Sequence, residues 1–149
     1  DKRVKTIERT NLKICSFDEI YAENEPVADL LVSDLSFISL TKVLENLKKL
    51  LNPGFHEMVC LIKPQFEAGK ENVEKGGVVK DKKVHEEVIE NVINFAKNLG
   101  YTINDLTFSS IKGPSGNIEY LVWLSTQSGK ETDLDIKALV DNAFKTLNS

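Results

Sequence analysis

The sequence predicts an α/β fold whose sheet is mostly parallel with one antiparallel strand, and three observations carry that expectation. Two short continuous apolar runs, within Asp29-Leu30-Leu31-Val32-Ser33-Asp34 and at Met58-Val59-Cys60-Leu61-Ile62, fit strands buried on both faces of a parallel sheet. Segments with apolar residues at helical spacing alternate with them. The last two β-rich stretches, Tyr101 to Ile111 and Ile118 to Ser125, are joined by Lys112-Gly113-Pro114-Ser115-Gly116, which is the turn chemistry of an antiparallel hairpin. A length of 149 residues fits one domain, and 41% hydrophobic with 28% charged residues is an ordinary globular mix rather than a disordered one.

In chain order, Val4 to Glu8 reads as a short strand and Phe17 to Tyr21 as a helical turn after Ser16. The Leu30 strand is followed by a helix from Ser39 to Leu51, with Leu40, Val43, Leu44, Leu47, Leu50 and Leu51 inward, and Asn52-Pro53-Gly54 stops it. Pro64 ends the second strand by removing a ladder donor, so Lys63 stands at its carboxyl end. A polar loop then runs to Lys80. It carries Lys70, Lys75 and Lys80, with Lys82 and Lys83 just beyond, among Glu67, Glu71 and Glu74. Mixed charge of that kind suits a substrate-facing loop or a solvated surface equally. Asp81 is the expected N-cap of a longer helix with the stripe Val84, Val88, Val92, Phe95, Ala96 and Leu99, ended by Gly100. After the hairpin, Thr132-x-x-Asp135 resembles the start of a C-terminal amphipathic helix.

Composition narrows the function classes. The apolar runs fall far short of the roughly 20 residues of a membrane span, and Asp1-Lys2-Arg3 precedes no signal-peptide core, so a soluble cytoplasmic protein is expected. Cys15 and Cys60 lack metal-ligand spacing and are expected as buried free thiols, while His56 and His85 form no metal constellation. A net charge of -4 argues against a strong nucleic-acid footprint in this segment taken alone.

Strand direction puts three ionisable residues on one rim: Asp34 after the first buried strand, Lys63 after the second, and Glu119 at the amino end of the antiparallel one. Carboxyl ends of parallel strands are where ligands bind in open α/β sheets. A lysine between two carboxylates can be held in place, and whether it sheds its proton depends on desolvation against those charges. Each residue also has a plainer reading: Asp34 as a turn or helix cap, Lys63 as an exposed strand-end lysine, Glu119 as a surface strand residue.

Four ordered segments resolve the ambiguity by resemblance. Ser33-Asp34-Leu35-Ser36-Phe37-Ile38-Ser39-Leu40, Ile62-Lys63-Pro64-Gln65-Phe66-Glu67-Ala68-Gly69, Gly76-Gly77-Val78-Val79-Lys80-Asp81, and Ile111-Lys112-Gly113-Pro114-Ser115-Gly116-Asn117-Ile118-Glu119 resemble the TlyA family, whose members go by the names of hemolysins and of ribosomal RNA methyltransferases. Glu8-Arg9-Thr10-Asn11 is similar to that family's short segment ahead of these motifs. The resemblance implies a Rossmann-like class I methyltransferase fold of the FtsJ type, S-adenosylmethionine as cofactor, and methylation of a ribose 2'-hydroxyl, typically of cytidine, in ribosomal RNA. It implies a Lys-Asp-Lys-Glu tetrad in which Asp34 is the aspartate, Lys63 the second lysine and Glu119 the glutamate. It also implies cofactor contacts from Asn11 beside the adenine and from Asp34, Leu35, Ser36 and Phe37 beside the methyl group.

The sequence departs from the family pattern at its start. It has no glycine-rich strand-to-helix turn, no first tetrad lysine and no S4-like RNA-binding domain, so residues 1–149 are expected to be a partial FtsJ-like domain, binding the cofactor weakly and inactive in isolation. Lacking two strands, the sheet would keep unpaired edges that invite pairing with a second copy. Three alternatives remain beside ribose methylation by the parent protein: a non-enzymatic interaction module, a membrane-active hemolysin, and a base N-methyltransferase built on Ser33-Asp34-Leu35-Ser36-Phe37. Lys63 and Glu119 favour ribose chemistry.

Overall fold

The structure is a computed structural model that describes residues 1–129 and 132–148. Its centre is a four-stranded sheet built from β1 (Leu30–Ser33), β2 (Glu57–Ile62), β3 (Thr102–Phe108) and β4 (Tyr120–Ser125), in the order β1-β2-β4-β3. β1 and β2 are parallel, and β4 runs antiparallel to both β2 and β3, so three strands share a direction and one opposes them. This is the mostly parallel α/β sheet with one reversed member that the sequence predicts. The helices are α1 (Phe17–Ile20), α2 (Leu44–Lys49), α3 (Pro64–Glu67), α4 (Lys82–Asn98) and α5 (Ile136–Leu147).

Helix starts and stops follow the local chemistry. Ser16 and Glu19 form a capping box on α1, and Asp81 caps α4 by accepting Lys83 N–H at 2.8 Å. Gly100 takes φ +89° just beyond α4, a conformation that terminates a helix without strain only at glycine. The N-cap of the C-terminal helix α5 is Asp135, which accepts Ala138 N–H at 2.9 Å, rather than Thr132, whose hydroxyl donates instead to Asn104 O.

Four expectations are corrected. The helix expected from Ser39 to Leu51 is a 3-10 turn (Leu40–Lys42) followed by α2, because Val43 at φ -123° interrupts it, although every apolar position assigned to its inner side is buried. Val4 to Glu8 forms no strand; residues 1–9 are exposed and pair with none of the four strands, and an apolar alternation without a ladder partner does not make one. Neither buried strand is covered on both faces. Met58, Cys60 and Ile62 join Leu44, Leu47, Val88, Ile89, Val92, Val140 and Ala143 in one core, whereas Val59 and Leu61 are half-buried and Val32 on the edge strand is 75% exposed. The loop after Lys63 is not open coil: it holds α3, a 3-10 turn at Lys70–Asn72 and a bridge between Glu74 and Val78.

The two histidines are structural. His56 lies between Asn52 O and the Tyr101 hydroxyl, each at 2.6 Å. His85 lies between Tyr120 OH and Val79 O, each at 2.9 Å, and burial holds it below its ordinary value. Both cysteines are free and buried, and burial pushes Cys60 up to about 12. Among the described residues no cluster of His, Cys, Asp and Glu could hold a metal, and no helix is long and apolar enough to cross a membrane.

Candidate active site

The site forms where β1 and β2 end and β4 begins. Ser33 pairs with Cys60 and Ile62 with Tyr120, so the next residue out from each strand, Asp34, Lys63 and Glu119, falls at one rim. Lys63 Nζ lies 2.5 Å from Asp34 Oδ1 and 4.0 Å from Glu119 Oε1. The Lys63 and Glu119 side chains are 8% and 6% exposed, and that of Asp34 is 74% exposed, so a buried amine has one carboxylate in contact with solvent and one enclosed. None of the three takes its plainer reading. Lys63 is buried, Glu119 is buried at the strand start, and Asp34 pairs with an amine.

The lysine opens on a cavity of about 410 Å³ lined by Ser36, Phe37, Lys63, Gln65, Phe66, Val73, Gly77, Pro114, Ser115 and Asn117. Phe37 is 90% exposed, with φ +64°, and its ring meets Phe66 at 5.0 Å between centroids. A bulky residue held in the left-handed region and turned to solvent is costly, and such costs gather at functional sites.

Of the other residues assigned to a cofactor, Ser36 and Phe37 line the cavity and Leu35 packs against the core. Asn11 is not joined to them. Among the described residues its hydrogen bonds stay within residues 11 to 15, its side chain accepting Lys13 N–H at 3.0 Å. Of the loop lysines, Lys80 pairs with Glu74 at 2.7 Å and Lys82 with Asp141 at 2.5 Å.

Three residues that sequence reasoning left without a role hold the site together. Asn117 Nδ2 donates to Gly77 O at 2.7 Å and Pro114 O at 3.1 Å, and its Oδ1 accepts Val79 N–H at 3.2 Å. Gln65 Nε2 donates to Glu119 Oε1 at 2.9 Å. Glu67 accepts Leu40 N–H at 2.7 Å and the Ser39 hydroxyl at 2.5 Å, tying the segment after Lys63 to the segment after Asp34. All three lie inside the motifs that carry the family resemblance, which was the available signal.

Burial pushes Glu67 above its ordinary value of 4.5, against the two hydrogen bonds that pull it down. The folded protein therefore keeps this proton to a higher pH than the unfolded chain, and stability falls as pH rises from about 4.5 through the folded value, then levels. Glu67→Gln removes that fall, since its oxygen accepts Leu40 N–H and its amide donates to Ser39. Glu67→Ala, which strands Leu40 N–H, costs about 2 kcal/mol at neutral pH. Urea midpoints of both variants between pH 4 and 7 measure the difference. A Gln variant as pH-dependent as the wild type would contradict it.

A family model, FtsJ-like methyltransferase, matches residues 1–126. The chain is 38% identical over 148 residues to the 16S/23S rRNA (cytidine-2'-O)-methyltransferase TlyA of Mycobacterium tuberculosis, covering 99% of this chain and 53% of that protein. It is 41% identical over 121 residues to Hemolysin A of Brachyspira hyodysenteriae, covering 81% and 49%. The solved "Putative hemolysin from Streptococcus thermophilus" superposes with a TM-score of 0.87 at 35% identity, over 99% of this chain and 53% of that one. The chain thus spans about half the length of the curated relatives it matches. A family match over most of the chain, relatives above one-third identity along it and the same fold in a solved relative lead to one conclusion: this chain belongs to the FtsJ-like methyltransferase family.

Proposed function

We propose that the protein methylates a ribose 2'-hydroxyl of ribosomal RNA, on cytidine, with S-adenosylmethionine as donor, and that residues 1–149 supply the catalytic portion. The observation that carries this reading is the buried Lys63 amine, set between Asp34 and Glu119 at the edge of a cavity large enough for a nucleoside.

The residues present fit a sulfonium donor, because the exposed Phe37 ring offers its π-face to a cation at the cavity edge. When bound, S-adenosylmethionine supplies an electrophilic methyl group. The chain's own work is on the acceptor. Lys63 takes the proton of the ribose hydroxyl, having first passed one of its own to Asp34 at 2.5 Å, whose exposure connects it to water. Glu119, enclosed beside Lys63, balances the charge there. Phe37 and Phe66 give an unpaired base two rings to stack on, the usual means of gripping single-stranded RNA. Lys70 and Lys75, exposed and without an ion pair among the described residues, are the local phosphate contacts that the net charge of -4 calls for.

No glycine-rich turn is present in these 149 residues, so the assay uses the full-length encoded protein. Ribosomal RNA is incubated with it and with methyl-labelled S-adenosylmethionine, then hydrolysed in alkali. Label in alkali-resistant dinucleotides is the expected result, since a methylated 2'-oxygen cannot assist cleavage. Label in mononucleotides alone would mean base methylation, and no label would overturn the reading.

A further inference from the structure

The Glu119 carboxylate has one hydrogen-bond donor and one close backbone neighbour. Gln65 Nε2 donates to its Oε1 at 2.9 Å. Beneath it lies Gly113, where an added Cβ would stand 2.3 Å from that same oxygen and 2.5 Å from the carboxyl carbon. Gly113 has φ -74°, which any residue adopts, so the need for glycine there comes from Glu119 and not from the backbone.

The orientation of the Gln65 amide carries the inference further. Its Oε1 is buried and has no hydrogen-bond partner among the described residues. Turning the amide over would set that oxygen against the carboxylate oxygen, so the bond to Glu119 dictates the arrangement and the orphaned acceptor is its consequence. The oxygen that Gln65 holds is also the one 4.0 Å from Lys63 Nζ. That distance is beyond a hydrogen bond, whereas Asp34 is in direct contact at 2.5 Å.

We propose that Gln65, acting with the bare backbone of Gly113, is a positioning residue that holds the Glu119 carboxylate one step back from Lys63. The amine is thereby committed to a single carboxylate, Asp34, through which it can exchange a proton. Without the grip, Glu119 closes onto Lys63 and locks the amine between two anions. This rests on the role given to Lys63 above, and its test separates the two.

Two variants act on the same carboxylate: Gln65→Leu removes the donor, and Gly113→Ala fills the space beside it. Crystal structures of the full-length protein and its variants supply a readout independent of activity. In Gln65→Leu the distance from Lys63 Nζ to the nearer Glu119 oxygen shortens from 4.0 Å to a direct contact. In the full-length protein each variant lowers kcat by on the order of tenfold while leaving KM for S-adenosylmethionine within twofold. In a Glu119→Ala background neither substitution costs anything more, because the group they act through is gone. Losses that add fully to that of Glu119→Ala, or a Glu119 that stays 4.0 Å away in Gln65→Leu, would overturn the proposal. If the carboxylate closes as expected but the wild-type protein methylates nothing, the positioning stands and the reading of Lys63 as a ribose base falls.

Discussion

Lys63→Met in the full-length protein lowers methyl transfer by about a hundredfold or more, the range lost when a positioned acid-base group is removed. The thioether keeps much of the apolar stem but has no amine to take the ribose proton, so single-turnover chemistry suffers while affinity for S-adenosylmethionine stays within a few-fold. The decisive companion is Lys63→Arg. A guanidinium keeps the charge and a contact with Asp34, 2.5 Å from the native amine, yet stays protonated at any working pH. It therefore holds the fold and fails at the reaction. This control matters because Lys63 is buried, and losing its charge leaves Glu119 enclosed beside it with Gln65 as its one side-chain partner among the described residues. Wild-type turnover in either variant would remove Lys63 from the role of base.

The second large effect belongs to Asn117→Ala. One buried amide satisfies Val79 N–H and the carbonyls of Gly77 and Pro114, and alanine leaves all three without it. Val79 is 2% exposed, so its N–H cannot turn to water without the segment lifting away. A loss of about 2–4 kcal/mol in folding stability follows, measured by denaturant titration. Because Gly77 and Asn117 both line the cavity at Lys63, KM for RNA rises with it. A variant as stable as the wild type would mean that the loop is held by something other than this amide.

The convergence of Asp34, Lys63 and Glu119 was legible in the sequence for a physical reason. Alternating elements fix strand direction, and direction alone decides which ends share a rim. Coverage was not legible. Leu30-Leu31-Val32 and Met58 to Ile62 read as doubly buried because an apolar run reports what a residue would prefer, while burial depends on which helices arrive, and only alternate positions of β2 meet the common core. Val4 to Glu8 shows the same limit, since a strand needs a partner that its own sequence does not specify. At the C-terminal helix, Thr132 and Asp135 both carry cap-competent oxygens, and the choice went to the one beside Ile136. Gln65, Glu67 and Asn117 were hidden differently: each hydrogen-bonds across 27 to 54 residues of chain, and no local pattern encodes such a partner.

The place of β4 between β2 and β3 bears on how the protein is made. Among the described residues β3 has no neighbour in the sheet other than β4, and β4 is the last of the four strands. As the chain leaves the ribosome, β3 must therefore wait unpaired until Tyr120–Ser125 has emerged and slid into the slot beside β2. Glu119 arrives with that strand, so Asp34 and Lys63 emerge well before their third neighbour. A nascent chain halted short of residue 119 carries both its lysine and its aspartate without the enclosed carboxylate beside them, so the candidate rim is completed only when the sheet closes on β4 and not by an early local event.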